Sequence, residues 1–307
     1  VTTIWCYVFI LPAMILAGLF TFYPIVASWF ISFLEWSGIT ADGEFVGLDN
    51  YREAVSDPFF WRAFGRSFLF TSIDVPIRLF LALVVAIILN DAALRMRSIF
   101  RTIFFLPVVT TMAVVGVVWS LLLSPFDGPV NIALLETGLV GTPIDFLGSV
   151  DTALISVVAV HIWKSFGITM IYWLVALQTV PAGLYEAARM DGAGRWRMHR
   201  DITMPLIKPF AILIALISVV STLQVFGLVQ AMTQGRPNYS TELVELYVYR
   251  LAFAPEGAVE PRMGYASAVA VIFGVAVMVI ALGQGWALRR ARSLRAAART
   301  ETGGEDQ

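Results

Sequence analysis

Twenty residues, Glu186 to Pro205, concentrate the charged chemistry of this chain: EAARMDGAGRWRMHRDITMP carries Glu186, Asp191, Asp201, four arginines and His199 between two long apolar stretches. Charges are too costly in hydrocarbon for such a segment to lie there, so it belongs in water beside a membrane. Its residue types suit docking rather than catalysis. Ala187, Ala188 and Ala193 keep one face flat enough for close backbone approach, Gly192 can take a left-handed turn, and Glu186 and Asp191 offer charge to a basic partner. The segment also fits a loop lying at the lipid headgroups, with Trp196 as its interfacial anchor.

A second group of polar residues interrupts the apolar stretches themselves. His161, Trp163, Lys164 and Ser165 fall together in one, and Ser218, Ser221, Thr222 and Gln224 form a stripe in the next. Polar groups at that depth usually face a cavity or a partner. Aromatic rings beside donors and acceptors suit a sugar-like solute, whose apolar face stacks while its hydroxyls are hydrogen-bonded. The alternative is that Ser and Thr bond back to their own helix. Asp74 and Arg78 stand four residues apart with opposite charge and read as a self-neutralising structural pair. Lys164 has no partner within its own helix.

Several chemistries are excluded or disfavoured. His161 and His199 stand far apart with no HExxH pattern, and Cys6 is the single cysteine, so no zinc-hydrolase signature or internal disulfide is available. A GxxxxGK[ST] loop is absent, so this chain does not hydrolyse ATP itself. A formal net charge of −1 offers no excess of positive charge for nucleic acid.

The elements that must carry these residues are membrane helices. The chain is 58% hydrophobic and 14% charged, against about 25% charged in ordinary soluble domains. Six stretches reach the roughly 20 apolar residues a crossing requires: about Ile4–Phe33, Phe68–Leu89, Ile99–Leu123, Leu154–Leu177, Phe210–Val229 and Ala266–Leu288. They lack the period-two alternation of barrel strands, so the expected class is an all-α polytopic membrane protein. Pro12, Pro24, Pro76 and Pro107 predict kinks. The stretch Val1 to Phe33 is apolar almost from its start, with no basic leader or small-x-small site, and does not read as a cleaved signal. Arg95, Arg97 and Arg101, the arginines of the Glu186 segment with Lys208, and the five arginines from Arg289 to Arg299 fall on one side. The positive-inside rule then places that side, and both termini, in the cytoplasm. The organisation expected is a single transmembrane domain over residues 1–290 and a basic-to-polar tail over 291–307 whose end is disordered. Loops of about 30 residues on the opposite side (34–66, 124–151, 230–265) are expected to hold short helices and turns.

Within 181–205, Pro181 opens a short helix, Asp191-Gly192 breaks it, and a second short helix near Gly194 to Asp201 leads to Pro205, where the next span is expected to begin. The order Glu186-Ala187-Ala188, Asp191-Gly192-Ala193, Trp196 and Ile202-x-Met204-Pro205 resembles the coupling motif of bacterial ABC-importer permeases, with Met204 where Leu is usual. The resemblance extends along the chain. Tyr23-Pro24-Ile25, Ser32-Phe33 and Val46-Gly47-Leu48-Asp49-Asn50-Tyr51 look like the first of the paired permeases of carbohydrate importers, the maltose and glycerol-phosphate kind. Arg101 with Leu106-Pro107, Trp119, Gly128-x-x-Asn131, Ile162-Trp163-Lys164, Leu177-Gln178-x-x-Pro181 and Gln224-Val225-Phe226 with Thr233 continue in register. Gly227 and Gly235-Arg236-Pro237 depart from the usual pattern.

The resemblance implies the type I importer fold and a non-enzymatic subunit of the bacterial inner membrane. It implies a second, homologous permease, two ATPase subunits that hold the ATP and magnesium, and an extracytoplasmic solute-binding protein. It implies no cofactor in this chain. Carried over by position, Glu186, Ala187, Ala188, Asp191, Gly192, Ala193 and Pro205 would couple to the ATPase, and the solute path would run past Trp163, Lys164, Ser165, Ile168, Ser218, Thr222 and Gln224. A sugar is the expected cargo, with a glycerophosphodiester or glycerol phosphate as the alternative. A stand-alone secondary transporter would show inverted repeats and acidic residues at mid-depth, and Asp74 is the only carboxylate deep in a predicted span.

Overall fold

The computed structural model describes residues 2–40, 43–91, 94–253 and 260–302, with the side chains of residues 2–4, 6, 284 and 286–302 outside that description. Val1, the Cys6 side chain, the arginine side chains from 289 to 299 and the last five residues therefore lie outside it.

Helices dominate in chain order. The first apolar stretch is α1 (Thr2–Ala17), a π turn at Gly18–Phe22 and α2 (Tyr23–Ile31). A two-residue antiparallel pair follows, β1 (Leu34–Glu35) with β2 (Glu44–Phe45), Leu34 opposite Phe45. Then come α3 (Asp49–Ser56), α4 (Pro58–Asn90), α5 (Arg97–Val109), α6 (Met112–Leu122), α7 (Pro129–Glu136), α8 (Val150–Gln178), α9 (Ala182–Met190) and α10 (Arg195–Met198). A second π turn at His199–Thr203 precedes α11 (Met204–Thr222), α12 (Phe226–Met232), α13 (Val244–Phe253) and α14 (Met263–Thr302).

Among the described residues, five helical runs are long and apolar enough to span a bilayer: Tyr7–Ile31, Pro58–Asn90, Val150–Gln178, Arg195–Thr222 and Met263–Gly283. The pair α5 and α6 counts as a sixth only when taken together, because the two are bent by 98°. The continuous helix expected over Ile99–Leu123 is thus broken. Thr110 and Thr111 are extended (ψ 149° and 151°), and Thr111 caps α6 by accepting from the Val114 N–H. Pro107 removes a backbone donor near the end of α5, and the carbonyl it carries is taken up by the Thr110 N–H and hydroxyl.

Two further boundaries differ from expectation. The fifth span stops at Thr222 rather than Val229: the Leu223 N–H still reaches the Val219 carbonyl, but the Gln224 N–H turns to Ser221. Pro205 does not start a new helix either. The helical run is continuous from Arg195 to Thr222, and the π turn just before Pro205 shifts the Met204 N–H onto the His199 carbonyl. Pro24 is handled in the same way, with the Tyr23 N–H on the Gly18 carbonyl. The one extra residue in each turn gives the proline ring room that a tight α-helix would deny it. At the C-terminal end, α14 stays helical through the basic stretch as far as Thr302.

The chain packs as two compact units where the sequence suggests one domain. One comprises Val1–Gly65 with Leu243–Ala276, the other Arg66–Glu242 with Val277–Gln307. In the second, a core of Ala82, Ala86, Leu89, Met170, Trp173, Leu174, Leu177, Ile207 and Ile214 joins α4, α8 and α11. Small residues allow close approach there. A Cβ on Gly167 of α8 would collide with the Phe104 carbonyl of α5, and one on Gly116 of α6 would lie 2.6 Å from Ala231 Cβ of α12.

Candidate functional site

The Glu186–Pro205 segment is an anchored hairpin with an exposed tip. Helix α9 ends in a Schellman arrangement: the Gly192 N–H donates to the Arg189 carbonyl at 3.1 Å and the Ala193 N–H to the Ala188 carbonyl at 2.9 Å. Gly192 sits at φ 74°, the left-handed turn expected of it, with open space where a Cβ would be. Tyr185 and Ile202 pack on the core of the second unit, and the Tyr185 hydroxyl lies 2.8 Å from Thr203 Oγ1. Those contacts hold the base. Glu186, Ala187, Asp191, Gly192, Arg195 and Pro205 are exposed, Ala188 and Ala193 half-buried, and Leu184, Met190 and Trp196 present apolar surface beside the charges. Arg197 and Arg200 flank Asp201 at 3.6 and 3.9 Å in solvent, too exposed to contribute much stability. Among the described residues, Glu186 and Asp191 have no ion-pair partner of their own. The tip is thus exposed, charged and partly apolar on a buried base.

The polar residues inside the spans of the second unit divide into two sets. Asp74, expected to pair with Arg78, does so at 3.2 Å, both fully buried (0% and 2% exposed). It also takes His161 Nδ1 at 2.7 Å from α8. Arg78 Nη2 reaches Thr222 Oγ1 at 2.8 Å and the Ser218 carbonyl at 3.3 Å on α11. The Thr222 hydroxyl proton goes to Asp74 Oδ2 at 3.1 Å or to Ser218 at 2.7 Å. Ser165 Oγ lies 3.3 Å from His161 Nε2, so an imidazole donating from Nδ1 and accepting at Nε2 satisfies both ring nitrogens. Five residues named individually by sequence thus form one buried network across α4, α8 and α11, together with the Ser218 carbonyl. The contacts between helices span 87 to 148 positions, which explains why local pattern joined Asp74 to Arg78 but not to His161 or Thr222.

The other set stays open. Trp163 is 46% exposed and meets Trp119 of α6 edge-to-face, ring centroids 5.4 Å apart. Gln224 is exposed, between buried Leu223 and Val225, and Ile168 is half-buried. Lys164 is the exception: only 7% exposed, it donates from Nζ to the Val108 carbonyl at 3.1 Å. Its ammonium therefore complements the C-terminal end of α5, where carbonyls lack helical partners. The sequence carried no sign of this use.

In the first unit the Gly47–Tyr51 motif builds a loop module. Gly47 turns at φ 62°, Asn50 donates to the carbonyls of Ser32 and Leu34 at 3.0 and 2.9 Å, and Tyr51 meets the Ser32 hydroxyl at 2.6 Å. Glu53 holds Arg262 through two bonds of 2.6 Å, and Asp57 accepts the phenol protons of Tyr247 and Tyr265. The Glu53 bond is the main cause that raises the Arg262 pKa. Burial alone would raise the Asp57 carboxyl, but those two phenols and the backbone N–H groups of Phe59 and Phe60 outweigh it and hold it below the usual value. A cavity of about 400 Å³ beside them is lined by Glu35, Trp36, Asp49, Glu53 and Arg262 among others.

Long apolar helical spans, one of them broken, around a buried polar network mark an integral membrane protein. The chain belongs to the family described as binding-protein-dependent transport system inner membrane component, which matches residues 59–293. It is 33% identical over 279 residues to the "Probable ABC transporter permease protein YurN" of Bacillus subtilis, covering 91% of this chain and 94% of that one. It is 33% identical over 285 residues to the lactose transport system permease protein LacF of Rhizobium radiobacter, covering 92% and 93%. The fold matches a crystal structure of a bacterial ABC transporter that imports the acidic polysaccharide alginate, with TM-score 0.79, 25% identity, and 93% and 95% of the two chains covered. A second structure of such a transporter, bound to a periplasmic protein carrying an alginate pentasaccharide, matches equally well at TM-score 0.79.

Proposed function

We propose that this permease subunit passes a neutral mono- or oligosaccharide, delivered by an extracytoplasmic binding protein, past Trp119, Trp163 and Gln224. The observation that carries the reading is the half-exposed Trp119–Trp163 corner within a chain 33% identical to a lactose permease over 92% of its length. Tryptophan faces stack on the apolar face of a pyranose, and the exposed Gln224 amide offers a donor and an acceptor for its hydroxyls. The glycerophosphodiester alternative needs a cation free to meet phosphate. Arg78 is neutralised by Asp74 and Lys164 is engaged by the Val108 carbonyl, which favours the uncharged sugar.

The Glu186 hairpin is the docking element for the ATPase. Its exposed tip offers Glu186, Asp191 and Gly192 with the flat Ala187, Ala188 and Ala193, while the Tyr185–Thr203 bond and the π turn before Pro205 tie its movement to α11. The complex contains a second permease and two ATPase subunits, which bind ATP and magnesium; this chain holds no cofactor and is not an enzyme. The hairpin and both termini face the cytoplasm, by the distribution of arginine.

In proteoliposomes of the assembled complex, Glu186→Lys should abolish transport-stimulated ATPase activity while insertion is retained, and Trp163→Ala should raise the KM for the transported sugar. Normal stimulated ATPase in Glu186→Lys refutes the docking role. Uptake of glycerophosphodiesters in place of sugars refutes the substrate assignment.

A further inference from the structure

Arg78 belongs to α4, but its guanidinium is committed to α11. A side chain that only neutralised Asp74 would be satisfied within its own helix, as an i,i+4 pair. Instead Nη2 contacts Asp74 Oδ2, Thr222 Oγ1 and the Ser218 carbonyl, and Nε is left buried without a hydrogen-bond partner. A buried donor left unmet is unfavourable, so the geometry serves the α11 contacts in preference to the guanidinium's own satisfaction. Those contacts fall in the last turn of α11, where a cation complements the helix dipole and the freed carbonyls. Asp74 is itself held by His161 of α8 at 2.7 Å, and Phe70 packs against that imidazole, so Arg78 is braced from two helices. The chain then leaves α11 through Leu223, Gln224 and Val225, of which only Gln224 is exposed. Where α11 ends therefore decides where the Gln224 amide points.

We propose that Arg78, braced by Asp74 and His161, is a positioning residue that fixes the last turn of α11 and thereby holds Gln224 in place for the transported solute. The proposal rests on the assignment of Gln224 to the solute path. It assigns Ser218 and Thr222 to the support of that path, with Gln224 as the group that meets solute.

The test uses the assembled complex in proteoliposomes with the disaccharide lactose and the other sugars it takes up as probes, measuring KM and Vmax separately. Removing Arg78 alone would strand a buried carboxylate, so the informative variants are Asp74→Asn/Arg78→Met, which deletes both charges, and Arg78→Lys, which keeps the charge but ends one bond short of the Nη2 that reaches Asp74 and α11 together. Both are expected to raise the solute KM by about fivefold, the loss of one neutral hydrogen bond between the Gln224 amide and a sugar hydroxyl. A merely structural role would lower Vmax through the amount of active complex and leave KM alone. A KM within twofold of wild type in the folded variants overturns the proposal, and Arg78→Lys decides if the double variant does not fold. Gln224→Ala separates the two levels. If it leaves KM unchanged, the assignment of Gln224 fails and the proposal with it; if it raises KM while the Arg78 variants do not, only the positioning role fails.

Discussion

The same substitution at two glycines nine residues apart should have opposite effects on the Glu186 hairpin. Gly192 sits at φ 74° with nothing within 4 Å of where its Cβ would be, so Gly192→Ala meets no clash and costs only its backbone conformation. A left-handed residue with a Cβ is unfavourable by about 1–2 kcal/mol. Gly183 lies within α9, also with nothing within 4 Å, so alanine there meets no clash and favours the helix by about 0.5–1 kcal/mol. The two bonds that close the hairpin, Gly192 N–H to Arg189 and Ala193 N–H to Ala188, report the difference directly. Amide hydrogen exchange at Ala193 should rise about 5–30-fold in Gly192→Ala, because each 1.4 kcal/mol is a factor of ten in the opening equilibrium. In Gly183→Ala it should fall by roughly two- to fivefold. Stimulated ATPase activity of the assembled complex should follow the same order. Unchanged exchange in Gly192→Ala, or faster exchange in Gly183→Ala, would refute the view that a strained glycine turn holds the tip.

Two further predictions concern the loops. Asp57 is held below its ordinary value of 3.8, so its contribution to the loop module is present above that value and is lost as pH falls through the lower folded value. Thermal unfolding of the wild type in detergent should therefore lose stability below about pH 4, and Asp57→Asn should remove that part of the pH dependence; an identical acid slope in both proteins would refute it. Asn131 is buried and bridges the Ser124 carbonyl with both backbone groups of Ile144, through bonds of 3.0, 3.0 and 2.8 Å. Asn131→Ala takes the partner from both backbone groups of Ile144 at about 1–3 kcal/mol each, while the Ser124 carbonyl keeps the Gly128 N–H, so Tm should fall and protease should cut residues 124–150 faster, whereas unchanged cleavage would show that the bridge does not hold the loop.

Much of this architecture was legible because membrane helices announce themselves by length and composition. The Gly192 turn, the Asp74–Arg78 pair and the short helices in the long loops are local consequences of residue type. Motifs quoted for their family resemblance acquire physical reasons as well: Gly128 lies against the carbonyls of Leu122 and Ser124, and Asn131 ties the following loop to both sides. The boundaries that moved lie where residue type alone gives no stop or start signal. An apolar run reads as continuous whether the helix passes through or breaks. At Pro107 the chain breaks at Thr110, whereas at Pro205 a π turn lets it continue, and hydropathy does not distinguish these outcomes.

Sequence by itself determined the class of protein, its apolar spans and the chemistry of its exposed hairpin, because those depend on residue types within one or two turns of chain. Tertiary structure alone decided which polar groups meet. It sent Lys164 to the Val108 carbonyl and drew Ser165 and Thr222 into the Asp74–Arg78–His161 network, leaving Trp163 and Gln224 exposed. The physical reason is distance along the chain: a buried charge requires a partner, and only the packing of α4, α8 and α11 determines which one lies within hydrogen-bonding reach.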